Sequence, residues 1–86
     1  MLGSSPNRVV IDVVTSDLGD SLSRVLADVQ RFGWTLNEIA ASASSASTAE
    51  FKLAVSAPSD IQLAHIEDRL ARHPTVATVQ ARLASG

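Results

Sequence analysis

His65 and His73 are the two histidines of this 86-residue chain, and they stand eight positions apart. A helical zinc pair needs its two imidazoles one turn apart on one face, so this spacing assigns them surface or capping roles and no metal. Ser42, Ser44, Ser45 and Ser47 supply hydroxyls, but a serine becomes a nucleophile only beside an oriented base, and the sequence places none there. Trp34, the single tryptophan, has a face that stacks on ligands; at the start of an extended segment it is expected to pack on the domain edge. With no nucleophile and base set in register, no catalytic residue is assigned. No metal ligand set and no cofactor site are assigned either. The remaining candidate is Thr15-Ser16-Asp17-Leu18-Gly19-Asp20, whose side-chain oxygens suit the free N–H groups at a helix start.

The elements around that run follow from periodicity. Val9-Val10-Ile11-Asp12-Val13-Val14 is almost entirely β-branched and predicts a central strand beginning at Arg8. Leu22, Val25, Leu26 and Val29 form the apolar stripe of a first helix, with Ser23, Arg24, Asp28 and Arg31 outside it and Gly33 as its left-handed stop. Trp34 to Ala43 is extended around Leu36 and Ile39, and Ser42 to Ala49 reads as a mobile hairpin loop. Phe51, Leu53 and Val55 alternate with Lys52 and Ala54, the pattern of a half-buried strand. Ser59 with Gln62 predicts a capping box opening a second helix, with the stripe Leu63, Ile66 and Leu70. Arg69, Arg72 and His73 fall in its last turn, Pro74 ends it, and Val76 to Leu83 is the last strand.

The order β-α-β-β-α-β with right-handed crossovers gives an α+β, ferredoxin-like βαββαβ sandwich: a four-stranded antiparallel sheet with both helices on one face. Val10, Asp12, Val14, Ala54, Thr78 and Gln80 are expected on the open face. The domain is expected to span 8–83, with 1–7 a flexible N-terminal arm. A domain this short buries only about 60–65% of its unfolded surface, and with no cysteine it has no covalent staple, so association is expected. Seven basic against nine acidic residues, without like-charge runs, leave no footprint for nucleic acid. No segment approaches the roughly 20 apolar residues of a membrane span, and no secretion signal is evident; the protein is expected to be cytoplasmic.

Leu22-Ser23-Arg24-Val25-Leu26, followed by Arg31-Phe32-Gly33-Trp34, resembles the first helix and following turn of ACT domains, in particular those of the small regulatory subunit of acetolactate (acetohydroxyacid) synthase. Leu53-Ala54-Val55-Ser56, Ile66-Glu67-Asp68-Arg69-Leu70 and Val76-Ala77-Thr78-Val79 are similar to that family's third strand, second helix and last strand. The resemblance covers about residues 8 to 83. Without an extension after Leu83, it is nearer the short, single-domain form of that subunit.

The resemblance implies a non-catalytic regulatory subunit, itself without a cofactor. It would form a homodimer through edge strands and activate a thiamine-diphosphate-dependent large catalytic subunit in branched-chain amino acid biosynthesis. In valine-sensitive relatives an Asn-x-x-Gly loop before the first helix, and an Asn after the glycine and aromatic that end it, hold the amino acid at a dimer interface. Asp17 stands at the first Asn position, Asp20 at the Gly and Thr35 at the second Asn; all three depart from the pattern. The implied effector site is Asp17, Leu18, Gly19, Asp20, Ser21 and Thr35. A carboxylate at Asp20 occupies the seat of the effector's own carboxylate, which implies weak or no valine feedback, although Gly19, one position early, leaves room for a shifted loop. The alternative is a stand-alone sensor binding a small amino acid between protomers.

Overall fold

A computed structural model describes residues 7–43, 45, 47–58 and 60–84. Its elements are β1 (Asn7–Thr15), α1 (Leu18–Phe32), β2 (Thr35–Ala43), β3 (Ala49–Ala57), α2 (Leu63–Leu70) and β4 (Val76–Leu83). The strands form one antiparallel sheet in the order β2-β3-β1-β4, as the pattern of elements predicts. β1 occupies the centre, paired on one side with β3 and on the other with β4. Its period-two alternation buries Val9, Ile11, Val13 and Thr15 beneath the helices. Phe51, Leu53 and Val55 of β3 join them, and Val25, Val29, Ile66 and Leu70 close the core from the helix side. The opposite face is open, with Val10, Asp12 and Val14 half-buried and Thr78 and Gln80 exposed. Asp12 pairs there with Arg82, and a shallow depression of about 300 Å³ lies over Asp12, Val14, Ala40 and Lys52.

Five local expectations are corrected. Asn7 is the first residue of β1, opposite Ala57, and is no part of an arm; residues 1–6 of that expected arm lie outside the described residues. Ser42, Ala43 and Ala49 are strand residues, paired Ser42 to Glu50 and Ala43 to Ala49, so the hairpin connection is shorter than the polar composition suggests. Ser45 N–H to Thr48 O (2.9 Å) closes part of that connection; Ser44 lies outside the described residues.

The second helix starts late. Its N-cap is Gln62, with no side-chain cap bond, and just before it Ile61 N–H reaches Pro58 O at 3.1 Å. Ser59, the expected cap, lies outside the described residues. At the other end α2 stops at Leu70, and Arg72 and His73 belong to the turn that follows. That turn folds back on α1 and buries Asp28, which the helical stripe alone places toward solvent.

In β2 a register shift between Leu36 and Glu38 explains an otherwise awkward spacing. Leu36 and Ile39 are three apart, yet the extra residue lets them stand opposite Val55 and Leu53, both on the helix face. All nine residues of β2 are exposed, so this apolar row sits at an uncovered edge.

Candidate functional site

The buried end of β1 and the start of α1 are one hydrogen-bonded unit. Asp17, extended at φ −147°, caps α1: its Oδ1 accepts from Asp20 N–H at 3.1 Å, and its carbonyl accepts from Ser21 N–H at 3.0 Å. Asp17 N–H in turn donates to Thr15 Oγ1 at 3.0 Å. Gly19 lies in the first helical turn without a positive φ, and a methyl group there would meet only Asp17 Oδ1, at 3.9 Å. The helix therefore starts regularly through Gly19, and the loop has not shifted to use its freedom. The N–H groups of Leu18 and Gly19, in the first turn, have no preceding helical carbonyl to reach.

Asp20 directs its carboxylate sideways. Oδ2 accepts from Thr75 Oγ1 at 2.8 Å, and both oxygens lie 3.0 Å from Arg24 Nε, one turn along the helix. The Thr75 hydroxyl bond, reinforced by the Arg24 guanidinium, holds the Asp20 carboxyl below the ordinary aspartate range. Thr75 belongs to the turn before β4 and was not singled out by any pattern in the sequence, since no local periodicity connects it with residues 54 or 55 positions away. It also meets Ser21 Oγ at 2.7 Å, while its carbonyl accepts from Thr15 Oγ1 at 2.8 Å and from Ser16 N–H at 3.0 Å. Ser21 is fully buried and has Thr15 and Thr75 hydroxyls for neighbours. It cannot meet a substrate, and the cluster fixes the loop instead of activating a nucleophile.

Leu18 is half-buried against the core. With Asp17 it forms one wall of a cleft of about 290 Å³ whose other wall is the β2–β3 connection, through Ser45, Ser47 and Thr48. These serines, solvated loop residues by sequence, thus face the expected effector loop. Thr35 does not join this group. It pairs with Ser56, which lies opposite Arg8, whereas the Asp17 loop leaves the far end of β1 after Thr15. Seven strand residues separate the two levels, about 23 Å at the usual rise, so within one chain Asp17 to Ser21 and Thr35 are apart.

The other singled-out side chains have structural neighbours. His73 Nε2 is 2.7 Å from Asp28 Oδ2, joining the turn after α2 to α1, and Arg31 stands 4.0 Å from the same carboxylate. Gly33, at φ 76°, ends α1, with its own N–H on Gln30 O and Trp34 N–H on Val29 O. Trp34 then packs on Phe32 with ring centroids 4.9 Å apart, and the Arg69 guanidinium lies 5.3 Å above the Phe32 ring. His65 lies beside these rings at the rim of a small apolar cleft. Among the described residues no helix is long and apolar enough to cross a membrane.

No protein-family model matches the sequence, and no curated protein matches it. Solved structures do. The solution structure of the C-terminal domain of the MgtC protein from Mycobacterium tuberculosis superposes with a TM-score of 0.79 at 10% identity, over 98% of this chain and 94% of that one. An ACT domain protein from Streptococcus pneumoniae gives 0.75 at 13% identity, over 92% and 91%. The ACT domain from GTP pyrophosphokinase of Chlorobium tepidum gives 0.72 at 17% identity, over 91% of this chain and all of that one. At such identities the likeness speaks to architecture, and the chain has the ferredoxin-like βαββαβ fold that ACT domains have.

Proposed function

We propose that the chain is a non-catalytic regulatory domain that works through protein contacts. It pairs with a second copy along the exposed β2 edge and binds the large catalytic subunit of an acetolactate synthase, activating that enzyme in branched-chain amino acid biosynthesis with weak or no valine feedback. One observation carries the effector-blind part. The Asp20 carboxylate, held by Thr75 and Arg24, stands in the first turn of α1, where an amino acid's carboxylate would need open N–H groups and no competing charge. The catalytic partner rests on the sequence resemblance of Leu22 to Leu26 and Arg31 to Trp34. Two of the similar structures, the MgtC and pyrophosphokinase domains, are parts of larger proteins, which supports a domain acting on other polypeptide. Activation would arise because the domain binds the competent conformation of its partner better than the idle one.

The cleft between Asp17-Leu18 and Ser45-Ser47-Thr48 favours a second reading, a stand-alone sensor of small amino acids. A second copy would bring its own Thr35 into play, since one chain cannot. Calorimetric titration with valine, leucine and isoleucine separates the two: saturable heat supports the sensor and sinks the effector-blind reading. Co-purification with a large synthase chain, followed by its assay with and without this protein, tests the partner. A synthase that neither binds nor responds refutes it.

A further inference from the structure

The two edges of the sheet differ. β2 carries one charged residue, Glu38, and neither lysine nor proline, so its run from Ile39 to Ala43 lacks the devices that usually blunt an edge strand. β4 has one. In the ladder with β1, Ala84 N–H donates to Arg8 O at 2.8 Å, and the register runs on through Val10 opposite Arg82 and Asp12 opposite Gln80. Antiparallel pairing alternates, so Arg82 and Gln80 direct their backbone groups toward β1 and Ala81, between them, directs its N–H outward. Glu67 Oε2, reaching down from α2, accepts that N–H at 2.8 Å. The beginning of the strand is also tied in, by Val76 N–H to His73 O at 3.1 Å.

We propose that Glu67 closes the β4 edge against strand addition by a second copy of this chain and so confines self-association to β2. The β2 pairing is the one proposed above; the closure of β4 stands on the Glu67 bond itself. An incoming strand must offer a carbonyl to Ala81 N–H, and to do so it must displace a charge-assisted bond and leave a carboxylate facing its own carbonyl oxygens. The consequence is a count. A two-fold pair through β2 uses both β2 edges and leaves a β4 edge at each end; closed ends stop assembly at two copies, whereas open ends extend it into an array.

The test is the mass of Glu67→Ala by sedimentation and light scattering, on soluble protein whose far-UV circular dichroism matches the parent. Glu67→Thr, whose hydroxyl stops two bonds short of the glutamate oxygens, is measured beside it. Both variants are expected to rise with concentration to about twice the parent mass or more. Adding Ala81→Pro to either removes the outward N–H without touching the β1 ladder and is expected to restore the parent mass. A parent-like mass for both single variants makes Glu67 a strut between α2 and β4 and overturns the proposal, as does growth that Ala81→Pro leaves unchanged. The parent's own mass reports separately on β2: a monomeric parent refutes β2 pairing while the variants still decide the closure of β4.

Discussion

His73→Ala removes the imidazole that holds α1 to the turn after α2. Asp28 is 6% exposed, and its Oδ2 lies 2.7 Å from His73 Nε2; after the substitution its remaining ionic neighbour is Arg31, at 4.0 Å and largely in solvent. A hydrogen bond to a charged group contributes about 1.5–3 kcal/mol net, and stripping the partner from a buried ion costs about 3–5 kcal/mol when the ion is wholly enclosed. The carboxylate here keeps a narrow opening and one arginine nearby, which places the expected loss at about 2–3 kcal/mol. A domain of this size has a total stability of roughly 4–13 kcal/mol, so the loss is a large share of it. Thermal unfolding should fall by about 10–20 °C, at the usual 4–8 °C per kcal/mol for small domains. Asp28→Ala costs less, because the imidazole it abandons can turn to water, and the double variant should lose clearly less than the sum of the two. The assay is urea unfolding of the four proteins as a double-mutant cycle. A His73→Ala loss under about 0.5 kcal/mol, or strict additivity in the cycle, would refute the argument that Asp28 is a buried group needing its partner.

Two further predictions concern the ends of α1. The Asp20 carboxyl titrates lower in the folded state than in the unfolded chain, so its contribution is fully present above the ordinary value of 3.8 and is lost as pH falls through the lower folded value. Asp20→Asn should therefore flatten the fall in stability on acidification below about pH 4, and an acid limb identical to the parent's would contradict the Thr75 and Arg24 contacts. Gly33→Ala puts a side chain at φ 76° with nothing within 4 Å of the new methyl, so the cost is conformational alone. It should be about 1 kcal/mol in chemical unfolding, and a neutral result would deny the left-handed stop.

What could be read from the sequence was what depends on neighbours along the chain. The β-branched run of β1, the alternation Phe51-Leu53-Val55 and the stop at Gly33 each report a local conformation, and together they place six elements and their order. Asp28, Thr75 and Glu67 report something else. Each acts on a residue between 14 and 55 positions away, His73, Asp20 and Ala81 respectively, so no local period carries them. The extended reading around Leu36 and Ile39 holds, but their shared face was not legible: an added residue in β2 breaks the period of two and turns a spacing of three into one face. The late start of α2, capped at Gln62 just after Ile61 N–H reaches Pro58 O, is likewise a contact that the capping-box spacing does not report.

The candidate effector loop was located by resemblance, but its physical content lies in contacts the resemblance does not include. A helix start attracts an anion through its dipole and its unpaired N–H groups. Here two anions are already attached to the chain: Asp17 takes one N–H, and Asp20 remains in the same turn, tethered by Thr75 and Arg24. A tethered group competes at an effective concentration in the millimolar range or above, and it does so without paying for association. A free amino acid must displace it or bind beside it, in the cleft shared with Ser45, Ser47 and Thr48. On the reading proposed above, the start of α1 has become a fixed strut between β1, α1 and the turn before β4, and the surfaces left for function are the bare β2 edge and the open sheet face.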